Sequence, residues 1–205
     1  MNTLFLASIL LIAQTKPSID GPYFPVTAKP GEEGISKFEA DWYGKSLARM
    51  KEPRLPVLAK EIDAEVYRIL ILPTWGNSVA VRVQKRGQIY SLSARRLSGQ
   101  AGYDPGGLAE AKDLELNAED SKTLDFLIQN LDFFQMPIAT DTRGPDGDEW
   151  ILEGVSKGKY HVAQRWCATD DPENRKLTGF LAFFRFLLDK STLSQRPSNK
   201  GHKLI

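Results

Sequence analysis

The sequence predicts an α+β fold: a mainly antiparallel sheet of two hairpins plus one or two further strands, packed against about three helices. Two stretches carry the hairpin prediction, because each places alternating or aromatic-rich residues on both sides of a short turn that contains glycine. Helical patterns stand before, between and after these hairpins, without a strand–helix–strand repeat. A doubly wound nucleotide-binding fold is therefore not expected.

Length and composition limit the function classes. The 205 residues fit a single α+β domain at 35–190, followed by a polar, flexible tail at 191–205. Since 27 Lys and Arg stand against 26 Asp and Glu, the formal net charge of +1 gives no basic surplus for nucleic acid. One cysteine excludes an internal disulfide, and with two histidines it cannot build a structural zinc site. We expect no metal and no other cofactor.

The N-terminal residues predict export. Residues 1–15 look like a signal peptide, because the run from Leu4 to Ala13 is apolar and uncharged and has about half the length that spans a bilayer. A buried N-terminal helix is the alternative. Residues 16–34 are rich in proline and glycine, which is typical of a tether or of an ordered coil laid over a domain. We expect a periplasmic or secreted protein with no stable transmembrane span.

The first helix begins with a capping-box pattern, Ser36 followed by Glu39, and ends before Pro53 and Pro56. Its predicted buried stripe consists of apolar residues near helical spacing: Phe38, Trp42, Leu47 and Met50.

The first hairpin follows an apolar strand that ends at Pro73, and it turns at Arg86-Gly87. The predicted pairs across this turn are Val83 with Tyr90, Val81 with Leu92 and Val79 with Ala94. One face of the hairpin is therefore apolar. The opposite face is polar and carries Arg82, Gln84, Ser91, Ser93 and Arg95.

A glycine-rich loop, residues 98–107, contains Tyr103 and Asp104 and has Arg95 and Arg96 beside it. Its backbone amides could bind an anion. The loop matches no phosphate-binding glycine motif, however, and turn formation alone explains its Asp-Pro-Gly sequence.

Three elements complete the domain apart from the second hairpin. LAEAKDLEL is a candidate fourth strand, and Asn117 with Asp120 caps a helix. The last helix, LTGFLAFFRFLLD, is apolar nearly all round, so we expect it to start at Pro172 and to be buried against the sheet.

The second hairpin suggests a binding face. Its predicted pairs across a turn at Lys157-Gly158 are Val155 with Tyr160, Glu153 with Val162 and Trp150 with Arg165. Trp150, His161 and Arg165 share one side. If the other side packs on helices, they would lie beside Arg82 and Arg95 on an open face rich in the residue types of binding hot spots. An ordinary solvated sheet face explains the same pattern.

Three arrangements that suggest catalysis or metal binding have unsuitable spacing or low specificity. Cys167 and His161 stand six residues apart on a predicted strand, about 20 Å, which is too far for a thiol–imidazole dyad. Glu153 with Asp146 or Glu149 gives the paired carboxylates of a glycosidase, but such pairs are common. An acidic cluster that fails the EF-hand pattern, and that we interpret as a solvated loop, consists of Asp141, Asp146, Asp148 and Glu149.

Four segments between Phe38 and Trp166 carry a resemblance: FEADWYGKSLARMKEPRL, YRILILPTWGNSVAVR, GQAGYDPG and, most specific, DGDEWILEG…GKYHVAQRW. They resemble a family of uncharacterised exported bacterial proteins. The resemblance implies bacterial export and a single α+β domain, and it implies no known activity. In that family Ser-Pro commonly follows the Arg-Trp pair. Cys167-Ala168 stands there in this chain, which argues further against catalysis by Cys167.

We predict a non-enzymatic exported binding protein that acts on a protein or an envelope component, for instance as an inhibitor or immunity-type protein. The alternatives are a small periplasmic hydrolase that uses acidic residues and His161, and a structural envelope protein held by an uncleaved N-terminal segment. The sequence does not indicate an oligomeric state. The residues expected to bind the partner are Arg82, Arg95, Tyr103, Asp104, Trp150, Glu153, His161 and Arg165.

Overall fold

The computed structural model describes residues 21–29, 34–61, 65–140, 144 and 146–194. The predicted signal peptide, Asp141, part of the Pro- and Gly-rich segment and most of the tail lie outside these described residues. The helices of the described part are α1 (Lys37–Arg49), α2 (Leu55–Glu61), α3 (Ala118–Leu131) and α4 (Thr178–Lys190), with a 3-10 turn at Phe133–Gln135. Its strands are β1 (Val66–Pro73), β2 (Val79–Arg86), β3 (Ile89–Leu97), β4 (Leu108–Glu115), β5 (Asp148–Ser156) and β6 (Lys159–Trp166).

The strands form one antiparallel sheet in the order β4-β3-β2-β1-β5-β6. Helices α3 and α4 cover one face, which we call the α3/α4 face. The other, the α1/α2 face, is covered by α1, α2 and the segment 21–29. The predicted α+β class is thus confirmed, including the fourth strand. Among the described residues, no helix combines the length and the apolarity that crossing a membrane requires.

Helix α1 has the predicted capping box, with the Ser36 and Glu39 side chains each bonded to the other's backbone N–H. Its predicted buried stripe is wrong at Phe38, which is 75% exposed. The buried arc contains Ala40, Tyr43 and Leu47. Because two residues are about 200° apart around a helix, Phe38 lies on the side away from Ala40.

Helix α1 ends at Arg49, before Pro53 as predicted, but Pro56 does not act as a terminator. It lies in the first turn of α2, where a missing backbone N–H leaves no hydrogen bond unmade. Helix α2 was therefore not predicted. The start of α4 is wrong for a related reason: Pro172 lies in a series of turns, and α4 begins six residues later, at Thr178. The predicted burial of α4 is confirmed at Phe180, Leu181, Phe183, Phe184 and Leu187.

The two hairpins test the predicted registers. In the first, Val83 pairs with Leu92 and Val81 with Ala94, so the predicted pairing is wrong by two residues. Gly87 and Gln88 are the turn residues, since Arg86 faces Ile89. A shift of two residues keeps every side chain on its face, because side chains alternate with a period of two. The second hairpin has the predicted pairs throughout.

Candidate functional site

The predicted open face of Arg, His and Trp is wrong. Strand β1 lies between the hairpins, and its Ile69 faces both Val81 and Leu152. The side of β5 and β6 with Trp150 therefore continues into the apolar side of the first hairpin, on the α3/α4 face. Arg82 and Arg95 lie on the opposite, α1/α2 face. Strand alternation alone could not place the two hairpins relative to each other.

Trp150 and Arg165 are part of the core on the α3/α4 face. The Trp150 side chain is 2% exposed, and its ring lies 5.3 Å from that of Phe184. Arg165 is 4% exposed, and its Nη1 donates to the carbonyls of Pro137, Ile138 and Gln164. The two residues face each other across the strands as predicted. Both stabilise the fold and are too buried to meet a partner.

His161 contacts the segment 136–138, which runs along the outer edge of β6. Its Nε2 lies 2.8 Å from the carbonyl oxygen of Met136, and the Gln164 amide donates to Ile138 O over 2.7 Å. The imidazole packs against the Phe133 ring at 5.0 Å. Burial lowers the pKa of His161. These contacts give the histidine a structural role at the sheet edge.

Glu153 and Arg82 belong to a buried ionic cluster on the α1/α2 face, formed by Glu52, Arg68, Arg82 and Glu153. The Arg68 Nη2 lies 2.6 Å from Glu153 Oε2, and both side chains are fully buried. Glu52 Oε2 lies 3.5 Å from Arg68 Nη1 and 2.9 Å from Arg82 Nε. Two cations thus balance two carboxylates. Sequence reasoning missed Arg68 and Glu52, although Arg68 is the only charge in the β1 sequence VYRILILP.

The ionic cluster is closed to substrates. The Tyr160 hydroxyl donates to Glu153 Oε1 over 3.0 Å, and Arg68 Nη1 donates to the Pro53 carbonyl over 2.6 Å. Burial raises the pKa of the Glu153 carboxyl, while the Arg68 guanidinium opposes that rise. Since the charges are matched and shielded from water, the cluster holds the α1–α2 connection on the sheet.

Two residues of the acidic cluster do not lie in a solvated loop, so the predicted solvated loop is wrong for them. Asp148 and Glu149 are in β5 and are 5% and 0% exposed. Burial, reinforced by the interaction of the Tyr43 hydroxyl with Glu149, raises the pKa of that tyrosine well above its usual range. Within the described ranges, no group of three or more His, Cys, Asp or Glu side chains is placed to hold a metal ion.

Cys167 follows directly after β6, with a backbone φ of 42°. Its side chain is half-buried, and burial raises the pKa of the thiol, which disfavours the reactive thiolate. As the sequence predicted, the chain from His161 to Trp166, the residue before Cys167, is a regular strand. The histidine and the cysteine are therefore separated along the length of β6. The arrangement gives no support for a thiol–imidazole dyad.

The glycine-rich loop binds its own amides and does not present them to an anion. The Ser98, Gly99 and Gln100 amides donate to the carbonyls of Gly107, Pro105 and Asp104 at 2.8 to 3.0 Å. The Gly106 and Gly107 amides donate to the side chains of Asp104 and Ser98. The loop is thus a closed hairpin. The structural interpretation of its glycines explains it better than an anion site.

Tyr103 and Trp75 form an exposed aromatic pair at the end of the sheet where the glycine-rich loop meets the β1–β2 loop. Their ring centroids are 5.1 Å apart, and the residues are 60% and 52% exposed. Tyr103 was predicted as a binding residue and Trp75 was missed. The sequence did offer a signal for Trp75, because a tryptophan stands in the turn sequence PTWGN between two apolar strands.

Both loops that carry the pair are held by the rest of the fold. The Ala101 amide donates to Gly76 O over 2.9 Å, which joins one loop to the other. A Cβ on Gly102 would lie 2.9 Å from the Thr74 carbonyl oxygen, so the loops touch through their backbones. Trp42 Nε1 donates to Ala101 O over 2.7 Å and links the glycine-rich loop to α1. The aromatic pair therefore has a fixed position before any partner arrives.

Helix α1 extends this exposed region. The half-buried Trp42 contacts the glycine-rich loop through Ala101, and the exposed Phe38 lies one helical turn away, with the ring centroids 6.2 Å apart. The same helical stripe continues to Lys45 and Arg49, whose Nη1 donates to Gly106 O over 3.2 Å. We call the four rings the aromatic surface; it consists of Phe38, Trp42, Trp75 and Tyr103.

Comparison with known proteins adds no assignment. No protein-family model matches this chain, and no curated protein is found to be similar to it.

Of the eight predicted binding residues, Tyr103 and Asp104 are exposed. Arg82 and Arg95 are engaged with Glu52 and Asp113, at 2.9 and 2.8 Å, and their side chains are only 17% and 16% exposed. The other four, Trp150, Glu153, His161 and Arg165, make the contacts within the fold that are described above. Of the predicted binding residues, those of the glycine-rich loop are therefore the ones accessible to a partner. The structure adds Phe38, Trp42 and Trp75, which were not predicted as binding residues.

Proposed function

We propose that this protein is an exported, non-enzymatic binding protein that contacts a protein or an envelope component through the aromatic surface. It acts in the periplasm or outside the cell, and an inhibitor or immunity-type role fits this description. The observation that carries the proposal is the Trp75–Tyr103 pair, two large rings that are each more than half exposed on well-held loops.

Exposed aromatic pairs are costly unless a partner covers them. Apolar area in contact with water costs about 25 cal/mol per Å², so adjacent exposed rings mark interaction sites more often than isolated ones do. Trp and Tyr are also enriched among the residues that dominate binding energy. Because hydrogen bonds already order both loops, a partner would pay little conformational entropy to engage them.

The hydrolase alternative finds less support. General acid–base chemistry requires titratable groups that converge on one accessible site. Glu153 lies on the α1/α2 face in the ionic cluster, whereas His161 lies on the α3/α4 side and contacts Met136 O. The residues named for that alternative therefore do not share a site.

The test is affinity capture of a partner from envelope and medium fractions with two variants of the tagged protein. We expect Trp75→Ala/Tyr103→Ala to lower recovery of the partner at least about tenfold, since hot-spot residues contribute 2 kcal/mol or more. Phe126→Ala is the matched control, because Phe126 is 64% exposed on α3, on the opposite side of the sheet.

Melting temperatures of the variants establish that both are folded. Equal recovery of the same partner by wild type and the Trp75/Tyr103 variant would contradict the proposal. Equal loss in the Phe126 control would show that exposed rings act without specificity, and it would contradict the proposal as well.

A further inference from the structure

We infer that the component bound by the aromatic surface is an anionic phospholipid bilayer, with the rings among the headgroups and Lys45 and Arg49 at the lipid phosphates. This inference rests on the proposed function and names its partner by chemistry. Three observations support it: the type and exposure of the rings, the cations on the same helix stripe, and the distribution of charge between the two sides of the sheet.

The rings are those that partition to a membrane interface. Trp and Tyr are enriched at headgroup level, and Phe is typical of the apolar side of interfacial helices. Phe38, Trp75 and Tyr103 are 75%, 52% and 60% exposed. They project from α1 and from two loops, and a fluid bilayer can accommodate such projections.

A small ligand or a peptide would instead need a concave site. The structure has a groove of about 530 Å³ between residues 21–26 and α1. Neither Trp75 nor Tyr103 lines that groove. Its Lys37 is paired with Asp41 at 2.7 Å, and its Arg54 lies over the Tyr23 ring at 4.5 Å. The four rings therefore lie outside the groove, and Lys45 on α1 stands between the two, since it also lines the groove.

Cations accompany the rings on α1. Lys45 and Arg49 follow Phe38 and Trp42 at spacings of three and four residues, so all four face the same side. Lys45 and Arg49 are exposed. On the neighbouring loop, Asp104 is the exposed anion, and its carboxylate accepts the Gly106 amide over 3.3 Å. The surface thus combines aromatic rings with a local cationic excess.

Charge is distributed unequally between the two sides of the sheet. Residues 36–60 carry six basic side chains and three acidic ones, and two of the acidic ones, Glu39 and Glu52, are buried. Helices α3 and α4, on the other side, together carry four acidic side chains and three basic ones. The excess of positive charge therefore lies on the side of α1, which can face an anionic bilayer while the nearly neutral α3/α4 side turns away.

The experiment is co-flotation of the exported protein with vesicles. One set contains phosphatidylethanolamine and phosphatidylglycerol, and the other contains phosphatidylcholine alone. We expect binding to the anionic vesicles at low salt, weakened at high salt by screening, and little binding to phosphatidylcholine. Intact mass fixes the N-terminus, so that all variants are compared with the same residues present.

Two double variants test the two parts of the surface. Lys45→Glu/Arg49→Glu should lower the partition coefficient at least about twentyfold, because each cation near an anionic bilayer contributes about fivefold. Trp75→Ala/Tyr103→Ala should lower it about tenfold or more, since both large rings lose their interfacial contact. The matched controls are Lys122→Glu/Lys159→Glu, with the same change in net charge at exposed positions away from α1, and Phe126→Ala on α3.

The outcomes separate this inference from the proposed function. Loss of vesicle binding in both surface variants and retention in both controls supports the bilayer. Absence of binding to anionic vesicles, equal binding to phosphatidylcholine, or an equal loss in the controls overturns it. If vesicles do not bind but the Trp75/Tyr103 variant loses a captured protein, the proposed function stands with a protein partner and the bilayer is excluded.

Discussion

Arg68 is fully buried in β1, a strand whose other residues are uncharged. Its guanidinium contacts Glu153 in β5 and Glu52 in the α1–α2 connection. Glu52 in turn binds Arg82 in β2. A buried ion pair adds little net stability compared with apolar residues of the same shape, but loss of one partner leaves an uncompensated charge. We therefore interpret the ionic cluster as the contact that fixes where α1 and α2 meet the sheet.

Replacing Arg68 by methionine tests this interpretation. Arg68→Met leaves Glu153 buried without its cation, so we expect the free energy of unfolding to fall by about 3–5 kcal/mol. Arg68→Met/Glu153→Met should recover most of that loss. Denaturant unfolding measures both values, with Lys37→Met as the control, because the Lys37–Asp41 pair is exposed and contributes no more than about 0.5 kcal/mol. A double variant as unstable as Arg68→Met would contradict the interpretation.

Glu153 illustrates what the sequence could not decide at this scale. Its position on the second hairpin was predicted, because alternation and the Lys157-Gly158 turn fix the register locally. Its partner Arg68 is 85 residues away, and no local pattern links the two. A carboxylate that the sequence offers as a binding residue is therefore the internal partner of a buried arginine.

Among the elements, those with a local cap or turn signal were predicted best. The capping box at Ser36 and the Asn117 cap of α3 are both present. The first hairpin was shifted by two residues, because a lone Gly87 does not show whether Arg86 or Gln88 is its companion in the turn. Proline was the least reliable signal. Pro56 was expected to end a helix but lies in the first turn of one, and Pro172 was expected to start a helix but lies in turns before α4.

The glycine-rich loop depends on glycine because its backbone segments approach closely. A Cβ on Gly99 would collide with the Asp104 carbonyl oxygen, whereas one on Gly107 would meet no atom within 4 Å. We expect Gly99→Ala to lower the free energy of unfolding by about 1–3 kcal/mol, the cost typical of overpacking. It should also increase proteolysis within residues 98–107.

Gly107→Ala is the control in the same loop and should change the free energy of unfolding by less than about 0.5 kcal/mol. Denaturant unfolding and limited proteolysis compare the two variants. Similar behaviour of Gly99→Ala and Gly107→Ala would show that the loop is not held by this close contact and that the Trp75–Tyr103 pair is not preformed.

For the whole molecule, the α+β class followed from hairpins and helices, but the layers did not. The central strands β1 and β5 are covered on both faces, because β1 joins the two hairpins in the middle and aligns their apolar sides. That alignment depends on contacts between distant segments, and alternation within each hairpin is consistent with either arrangement. The aromatic surface consequently lies on the loops and on α1, and not on a face of the sheet.

The N-terminal segment belongs to this layered core, which decides between the tether and the ordered coil for residues 21–29. Phe24 is fully buried, its ring lies 5.5 Å from that of Tyr43, and the Thr27 backbone amide donates to Ile35 O over 2.9 Å.

We expect Phe24→Ala to lower the free energy of unfolding by about 3–5 kcal/mol within one cooperative transition, because it opens a cavity between α1 and the sheet. Val26→Ala is the control, since Val26 is 55% exposed in the same segment and should cost less than about 0.5 kcal/mol. Calorimetry distinguishes the outcomes: a small loss for Phe24→Ala, or a separate low-temperature transition, would mean that the segment docks on the domain without sharing its core.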